Sequence, residues 1–453
     1  MRTTSGDSLA ALLPEAAADA PSRPALLHEG RRIDYSELDA RAARAAGALR
    51  EQGVGRGDCV ALLLPNHPAF VAAFHGALRL GAVVVPVNPL LSGREQRERI
   101  ADTGARIVVE GDLAGPVYSE VAEAAGADAA VVLYSSGTTG VPKRIELTHA
   151  GLRRNAEYVA SDALALREDD VLFGSAPLAH VFAMTGCMNA AIAARACLAL
   201  VERFDPDAAV DLIEREHVTV FMGVPAMCVA LLATGRRATL RLAHVGGAPL
   251  AVDTLLAFEE RFGAVVLEGY GMTEVGGMAT ASHASRPRKP GSVGTPAAGG
   301  QLRIEGDPVG EVMLLSPTVM RGHDGWLATG DIGYLDDDGY LFLVDRKKDV
   351  ILRGGYSVYP RQVEEVLFSH PHVREAVVVG VPDDRVGEEV VALVIPADDA
   401  CDPEQLQAYA RERVAAYAYP RRVLLVDDFP RSASGKILRR EIDRDALRRT
   451  ARS

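Results

Sequence analysis

Cysteine is scarce in this chain, and its distribution predicts neither a disulfide framework nor a zinc site. The five cysteines in 453 residues are scattered, and none belongs to a C-x-x-C pair. Isolated thiols of this kind are typical of reduced, cytoplasmic proteins. The N-terminal segment also lacks the charged and then apolar layout of a secretory signal peptide. We therefore expect a cytoplasmic protein.

Long hydrophobic runs and an excess of positive charge are missing as well. The most apolar region, 181–201, is interrupted by Asn189 and Arg195, so we expect a buried helix and strand there and no membrane span. The net charge of −12 disfavours nucleic acid or an anionic membrane as the main partner. The composition, with 48% hydrophobic and 24% charged residues, is that of an ordinary globular protein.

Short apolar runs alternate with helical patterns through the first part of the chain. Val60–Leu64 and Val83–Val87 flank the helical pattern of Ala69–Leu80, and this βαβ rhythm implies parallel sheet. Similar runs recur at 107–110, 171–173, 218–222 and 265–267. The chain is too long for one hydrophobic core, so two or three domains are expected.

The pattern changes in the last quarter of the chain, where short strands and a helix from Pro403 to Val414 indicate a compact α+β unit. We therefore predict an α/β fold built from two domains. A large N-terminal domain, residues 1–346, carries βαβ layers and parallel sheets. A smaller, mobile α+β lid domain covers residues 347–453.

The most informative segment is 134–149, which reads YSSGTTGVPKRIELTH and follows the apolar run 130–134 directly. Glycines let a backbone approach a ligand closely, and hydroxyls, backbone N–H groups and a cation together suit polyanionic phosphates. The spacing is not that of the Walker A loop. A Ser/Gly/Thr linker is the alternative, but linkers rarely follow a strand-like run directly. The candidate phosphate-binding residues are Ser135, Ser136, Gly137, Thr138, Thr139, Gly140 and Lys143.

Two further segments carry groups that suit a nucleotide. GYGMTE, residues 269–274, follows the apolar strand 265–267, and loops at the carboxyl ends of parallel strands bind ligands in α/β sheets. Tyr270 offers a flat face for a purine, and Glu274 offers a hard oxygen ligand for Mg²⁺. Asp331, in a T-G-D sequence, can accept hydrogen bonds from ribose hydroxyls. The alternative for Asp331 is a turn residue that bonds its own backbone.

Two charged segments stand near the predicted boundary and the C-terminus. Five consecutive charges at 345–349 suit a hinge that stays in water in both of its states, although such runs usually mark a solvated turn. Lys436 lies in a Ser- and Gly-rich segment, 430–436. A lysine there can neutralise charge that develops on a phosphate. A surface lysine is the alternative.

In this order, the five segments resemble the signatures of the adenylate-forming superfamily, which includes acyl-CoA synthetases, peptide-synthetase adenylation domains and beetle luciferases. The first loop is similar to the family's [YF]-[TS]-S-G-T-T-G-x-P-K-G, except that Arg144 stands where the family usually has Gly, a change that can alter loop motion. The resemblance covers essentially the whole chain. Segments 346–360 and 177–182 look most like those of medium- and long-chain fatty acyl-CoA ligases. The stretches 107–134 and 300–326 are shorter than is usual in the family.

The resemblance implies a role for each matching residue. Lys436, Thr139, Glu274 and His180 would be catalytic, with Thr139 and Glu274 also holding the metal ion. Besides the phosphate loop, the nucleotide would be bound by Gly246, Gly247, Ala248, Pro249, Gly269, Tyr270, Gly271, Met272, Thr273, Asp331 and Arg346. Lys348 would be the hinge, and the CoA channel would be formed by Arg353, Gly354, Gly355 and Tyr356.

The segment PLAHVF, residues 177–182, resembles the part of the family that lines the acyl pocket. The candidate lining residues are His180, Val181, Phe182, Phe221, Met222, Gly223, Gly276, Gly277 and Met278. His180 would gate the channel between acid and thiol, or else be a core histidine. The sequence has no Asp in 177–190 for a substrate ammonium and no Arg in 177–188 or 275–280 for a second carboxylate. Because a buried charge needs such a partner, we predict a neutral, apolar acyl chain.

The implied reaction activates a carboxylic acid with ATP and Mg²⁺ to an acyl-AMP, which coenzyme A then converts to a thioester. The alternative is transfer of the acyl group to a carrier protein or an amine. Basic side chains such as Arg153, Arg154 or Arg353 are candidates for the 3′-phosphate of CoA. A non-catalytic nucleotide-binding module is disfavoured by the presence of Lys436 and Glu274. The resemblance implies a monomer or a homodimer.

Overall fold

The structure, a computed structural model, describes residues 7–124, 126–135, 142–431 and 437–449. The chain divides into two compact units. The first consists of Met1–Leu302, Leu314–Leu327 and Asp337–Leu341, and the second consists of Arg303–Met313, Ala328–Asp336 and Phe342–Ser453. The domain boundary predicted after residue 346 stays a prediction.

In the described part of the first unit, two β-sheets form the framework. The strands are β1 (Pro24–His28), β2 (Arg31–Asp34), β3 (Cys59–Leu62), β4 (Val83–Pro86), β5 (Ile107–Val109), β6 (Ala129–Ser135), β7 (Lys143–Thr148), β8 (Val171–Gly174), β9 (Cys197–Leu200), β10 (Val220–Gly223), β11 (Leu242–Gly246), β12 (Val265–Met272), β13 (Gly277–Ala281) and β14 (Thr295–Pro296). One sheet has the order β14-β13-β12-β11-β10-β8-β9-β1-β2, and the other has the order β5-β3-β4-β6-β7. Their central strands pair in parallel, which confirms the predicted βαβ layers.

Helices connect these parallel strands. They are α1 (Leu12–Asp19), α2 (Tyr35–Glu51), α3 (Pro68–Arg79), α4 (Gly93–Thr103), α5 (His149–Tyr158), α6 (Ala190–Ala194), α7 (Pro206–Glu216), α8 (Pro225–Ala233) and α9 (Val252–Phe262). Local sequence sets their starts: Ser92 and Glu95 form a capping box at α4, and Asp205 caps α7 ahead of Pro206. The predicted helix at Ala69–Leu80 is confirmed within one residue as α3.

The apolar region 181–201 folds as the predicted buried helix and strand. Phe182–Asn189 forms a π-helix that runs into α6, and β9 follows. A second, shorter π-helix, Val159–Ala163, extends α5. Helices of this kind are rare and often occur at functional sites. None of the helices in the described ranges has the length and apolarity needed to cross a bilayer.

The shortened stretch after β5 has no regular secondary structure in its described residues and packs against α2. A Cβ placed on Gly47 would lie 1.8 Å from the carbonyl oxygen of Pro116, and one on Gly115 would lie 2.4 Å from the backbone nitrogen of Ala48. The Tyr118 N–H donates to the carbonyl of Ala43 at 3.0 Å. Gly47 and Gly115 therefore allow the backbone of this stretch to lie in direct contact with the backbone of α2.

The strands after β14 pair mostly in antiparallel fashion. They are β15 (Gln301–Gly306), β16 (Gly310–Leu315), β17 (Leu327–Leu335), β18 (Leu341–Arg346), β19 (Ile351–Arg353), β20 (Tyr356–Val358), β21 (Val373–Asp383), β22 (Gly387–Pro396) and β23 (Arg422–Leu425), with helices α10 (Pro360–Phe368), α11 (Pro403–Arg413) and α12 (Arg444–Arg449). One sheet has the order β15-β16-β17-β18, and the other has the order β20-β19-β22-β21, with β23 beside β22. This confirms the predicted α+β unit, including its helix from Pro403.

Candidate active site

The predicted phosphate loop connects the two strands of a hairpin. Strands β6 and β7 are antiparallel, and their last pairs are Tyr134 opposite Arg144 and Ser135 opposite Lys143. Ser135 is half-buried and Lys143 is exposed. Of the residues that join the two strands, 136–141 lie outside the described residues, and they include the predicted Ser136, Gly137, Thr138, Thr139 and Gly140.

The base of this hairpin is tied to the C-terminal end of α4. The Tyr134 hydroxyl donates to Asp102 Oδ2 at 2.5 Å, and burial together with this carboxylate raises the pKa of Tyr134. Arg144 donates to the backbone carbonyl of Asp102 at 3.3 Å and pairs with Glu146 at 3.0 Å. The arginine at the family's glycine position therefore bridges α4 and β7.

GYGM, expected as a loop, is instead the end of strand β12, which corrects the interpretation of 269–272. Pairing with β11 stops at Gly246 opposite Gly269, but β13 continues the ladder on the other side as far as Met272. Glycine is required at this crossing, because a Cβ on Gly271 would lie 2.2 Å from the Gly277 carbonyl oxygen. Thr273 and the half-buried Glu274 begin a 3₁₀ turn after the strand.

The GGAP segment lies at the same edge of the sheet. Gly246 ends β11, Gly247 adopts a φ of +81°, and the segment 247–249 is exposed. A Cβ on Gly246 would lie 3.0 Å from the carbonyl oxygen of Gly269 and 3.4 Å from the Phe182 ring. The structure therefore brings together three separately predicted segments, 246–249, 269–274 and 177–182, at the carboxyl ends of β11 and β12.

The π-helix covers the strand ends where the acyl pocket is predicted. The Phe182 ring stacks on His244, with centroids 5.8 Å apart and an interplanar angle of 17°. A Cβ on Gly186 would lie 3.9 Å from Met222 Cε, and one on Gly277 would lie 3.3 Å from Thr185 Cβ. Burial lowers the pKa of His244 to about 4, so this imidazole is neutral at physiological pH and the wall beneath Phe182 carries no charge.

Phe221 does not join the other predicted pocket residues. Its ring stacks on Phe173 at 5.3 Å and packs at 5.7 Å from Phe258, inside an aromatic core cluster. Met222 belongs to the core on the opposite face of the sheet. Neighbouring strand residues point to opposite faces, so the two side chains cannot line one pocket. Gly223 follows directly, and a Cβ on it would lie 2.3 Å from the Phe221 ring.

His180 is exposed, which excludes the alternative of a core histidine. The N–H of Phe182 donates to His180 Nδ1 at 3.2 Å, and the carbonyl of His180 accepts from the Met184 N–H at 2.9 Å. The histidine thus lies two residues before the π-helix, at the surface, and is followed by the buried Val181. Val275 and Met278 flank the glycines Gly276 and Gly277, whose φ values are +69° and +137°.

Two asparagines that sequence reasoning missed hold the site segments in place. Asn155 of α5 donates to the carbonyls of Val275 and Met278 at 3.3 and 2.9 Å and accepts from the Met278 N–H at 3.1 Å. Asn66 donates to the carbonyls of Ala176 and Val201 and accepts from the Leu178 N–H at 2.8 Å. Each asparagine side chain therefore supplies hydrogen bonds to backbone N–H and C=O groups of these segments. Their only sequence signal is a polar residue beside an apolar pattern.

In the second unit, the predicted ribose and phosphate residues meet. Arg346 Nε lies 3.1 Å from Asp331 Oδ1, and the Asp331 side chain is buried. Asp331 lies within strand β17 and not in a turn. Its N–H donates to Thr329 Oγ1 at 3.1 Å, and its carboxylate faces Arg346. The Lys347 N–H donates to the Gly330 carbonyl at 2.9 Å, which holds the start of the predicted hinge against β17. Lys348 follows in the turn after β18.

The predicted CoA channel is a tight hairpin. Gly354 and Gly355 join β19 to β20 with φ values of +56° and +85°, as two-residue hairpins require. The exposed Tyr356 ring stacks on Tyr417 with centroids 4.6 Å apart. Arg353 is paired with Glu389 at 2.6 Å.

Of the other two candidates for a CoA phosphate, Arg153 is engaged by Glu15 at 2.6 Å, and Arg154 is exposed. Arg154 is therefore better placed in solvent to meet a phosphate than Arg153, whose guanidinium already has a carboxylate partner. The predicted catalytic Lys436 lies outside the described residues.

The comparisons with known proteins agree with this geometry. The AMP-binding enzyme profile matches residues 13–123 and 112–323, and the AMP-binding enzyme C-terminal domain profile matches residues 362–436. The chain therefore belongs to the AMP-binding enzyme family, within the adenylate-forming superfamily.

Its similarity to individual proteins extends over almost the whole chain. It is 35% identical to a feruloyl-CoA synthase of an Amycolatopsis species, over 94% of this chain and 96% of that one. It is 30% identical to a long-chain-fatty-acid–CoA ligase of Bacillus subtilis, over 96% and 94%. The crystal structure of ATP-bound MatB from Rhodopseudomonas palustris superposes with a TM-score of 0.88 at 29% identity, covering 99% of both chains.

Proposed function

We propose that this protein is an AMP-forming acid–thiol ligase that converts a carboxylic acid to its CoA thioester with ATP and Mg²⁺. The observation that carries the proposal is full-length similarity to proteins named as CoA ligases, at 30% identity or more. The convergence of the GGAP, GYGMTE and PLAHVF segments at one sheet edge supports it. The five free cysteines suit a reducing, cytoplasmic setting.

In the first half-reaction, a carboxylate oxygen of the acid attacks the α-phosphorus of ATP. The bond from that phosphorus to the bridging oxygen breaks, and pyrophosphate leaves with the electron pair. The loop from Ser135 to Lys143 would hold the phosphates, and Asp331 with Arg346 would hold the ribose. Lys436 would neutralise the charge that develops in the transition state. Mg²⁺, held by Thr139 and Glu274, would neutralise phosphate charge.

In the second half-reaction, the CoA thiolate attacks the acyl carbon, and AMP leaves with the electrons of the broken carbon–oxygen bond. The hairpin at 353–356 would supply the channel for the pantetheine arm, because Gly354 and Gly355 allow a close approach to the backbone. Rotation of the lid domain about Lys348 would exchange Lys436 for this hairpin. Exposed His180 would separate the acid from the thiol.

The acid is a fatty acid or another neutral, apolar acid. Supporting this, Phe182, Met222 and the neutral His244 supply apolar or uncharged surface beside Gly246 and Gly277. Two of the relatives named above are a feruloyl-CoA synthase and a long-chain-fatty-acid–CoA ligase. The alternative acceptor, a carrier protein or an amine, stays open.

Acid-dependent ATP–pyrophosphate exchange without CoA, across short, medium, long and aromatic acids, tests the proposal. Exchange that is followed by thioester formation when CoA is added is the expected result. Exchange without thioester would replace CoA with another acceptor. The absence of exchange with every acid would overturn the ligase assignment.

A further inference from the structure

In the second unit, the side chains of Glu364 and Arg439 both hydrogen-bond the backbone of Val378, a residue of an edge strand. Strand β21 lies at the end of its sheet. The Val378 N–H donates to Glu364 Oε1 at 2.6 Å, and Arg439 Nη1 donates to the Val378 carbonyl at 2.8 Å. Arg439 Nη2 also donates to Glu364 Oε2 at 2.5 Å. The edge strand's outward backbone groups, the carboxylate and the guanidinium therefore form a closed ring of hydrogen bonds.

This ring depends on both charges. Glu364 is buried, and burial raises the pKa of its carboxyl group while the Arg439 guanidinium opposes the shift. Removal of one partner from a buried pair leaves the other charge uncompensated. Burial also raises the pKa of Asp345, and the charge of Arg439 is one of the influences that oppose this rise. The guanidinium thus interacts with α10 and with the first residue of the predicted hinge segment 345–349.

The segment that precedes Arg439 is fixed at both of its described ends. Arg431 and Ile437 form an antiparallel bridge, and the Leu438 N–H donates to the Pro430 carbonyl at 2.7 Å. Arg431 Nη2 bonds both carboxylate oxygens of Glu375 on β21, at 2.8 and 2.7 Å. Ile437 packs against the core that includes Val377 and Val379. The residue bonded to Lys436 is therefore held on β21.

We propose that Arg439, held by Glu364, is a positioning residue for Lys436 in the adenylation half-reaction. The proposal rests on the proposed function, since it assigns a task to the chain directly after the predicted catalytic lysine. Arg439 lies three residues from Lys436 in the sequence, so a shift of its anchor point would be transmitted through only two intervening residues. Misplacement of a catalytic group by 1 Å costs about 10²-fold in rate. An ion pair that only stabilises the fold would instead lower the rates of both half-reactions by the same factor.

The test measures the two half-reactions separately in Arg439→Met. ATP–pyrophosphate exchange should fall about 10²-fold, whereas thioester formation from supplied acyl-AMP and CoA should stay within about threefold. Arg439→Lys should restore part of the exchange, because an ammonium still pairs with Glu364 but reaches fewer acceptors. Equal losses in both half-reactions, or no loss in either, would overturn the proposal.

Arg241→Met is the matched control. Arg241 bonds the buried Asp170 through two nitrogens, at 3.1 and 2.5 Å. Its side chain is 24% exposed and that of Asp170 is 2% exposed, against 24% for Arg439 and 8% for Glu364. This pair lies in the first unit, among the core strands. Its loss should lower the melting temperature and change the ratio of the two half-reactions by less than about twofold.

Two more variants distinguish a failure of the positioning role from a failure of the proposed function. Glu364→Gln keeps a side-chain acceptor for the Val378 N–H and removes the charge, so it should reduce exchange in the same direction and remain folded if Arg439→Met does not. Lys436→Ala tests the proposed function itself. Loss of exchange in Lys436→Ala but not in Glu364→Gln or Arg439→Met would refute the positioning role alone, whereas unchanged exchange in Lys436→Ala would refute the assignment of the lysine.

Discussion

The ring of Phe182 lies almost flat on the imidazole of His244, with centroids 5.8 Å apart. Phe182 is the first residue of a π-helix, and His244 is buried in strand β11 two residues before Gly246. The pair thus joins the helix that covers the predicted acyl pocket to the strand that leads into the predicted adenine loop. A change in this contact would therefore affect both the predicted acyl pocket and the predicted adenine loop.

Phe182→Ala should weaken binding of the acid and leave binding of ATP largely unchanged. Loss of the ring removes apolar surface from the pocket, and we expect the KM for the acid to rise about tenfold. Steady-state kinetics with each substrate varied separately would measure this. Phe221→Leu is the control, because its ring lies in the core cluster on the other face of the sheet. It should cost stability, and a larger effect of Phe221→Leu on the KM for the acid would contradict the placement.

The buried histidines should make the protein acid-sensitive in a defined window. Burial lowers the pKa of His75 to about 3, and those of His149 and His244 to about 4. In the unfolded state a histidine takes up its proton below about pH 6.5, whereas these three stay neutral in the native state down to about pH 4. The free energy of unfolding should therefore fall as the pH is lowered from about 6.5 to 4, by about 1.4 kcal/mol per unit for each histidine.

Denaturant titrations at several pH values would check this for His244. His244→Gln cannot take up the proton, so it should reduce the slope in that window by one histidine's contribution. His217→Asn is the control, because His217 is exposed and its φ of +52° suits asparagine. An unchanged slope in His244→Gln would show that the buried imidazole does not carry the effect.

Asp331→Asn should impair adenylation through the ribose. The substitution keeps the size of the side chain but removes the charge that faces Arg346, and a hydrogen bond to a charged group contributes about 1.5–3 kcal/mol. We expect the KM for ATP to rise at least about tenfold, and the KM for supplied acyl-AMP to rise as well, because both molecules carry the same ribose. Glu311→Gln is a nearby control, since Glu311 pairs with Lys347 at 2.6 Å. A similar rise in both variants would point to local disruption.

Arg144→Gly restores the residue usual in the family and should loosen the base of the predicted phosphate loop. It removes the bonds from Arg144 to the Asp102 carbonyl and to Glu146. Hydrogen exchange of the β7 amides near 143–146 should become faster, with the Tyr134–Asp102 bond still limiting the change. Tyr134→Phe combined with Arg144→Gly should give the larger effect. Unchanged exchange in the double variant would show that these two ties do not restrain the hairpin.

Sequence reasoning succeeded where burial alone decides the structure. The runs at Val60–Leu64 and Val83–Val87 are apolar at successive positions because both faces of a central parallel strand are covered. Phe221 was assigned to the pocket with Met222, although the two-residue period of a strand already places them on opposite faces. The sequence predicts a loop at GYGM. The structure shows a strand there, because pairing with β13 and not local propensity keeps the segment extended.

Other features had no sequence signal strong enough to find them. A π-helix differs from an α-helix by one residue per bonded ring, so the apolar pattern of 182–189 could not distinguish the two. Asn66 and Asn155 serve backbone groups more than a hundred residues away, and nothing near either residue in sequence identifies its partners.

The close packing of Pro116 on Gly47 limits how this chain can be improved by engineering. Glycine inside a helix costs about 1 kcal/mol relative to alanine, so a stabilisation scheme that ranks positions by helix propensity would select Gly47 in the middle of α2. An added methyl group would have to displace the Pro116 carbonyl, which is 1.8 Å from the position of that Cβ. For library design, Gly47 and Gly115 belong with the fixed positions, and the length of the segment between β5 and β6 should be varied only together with them.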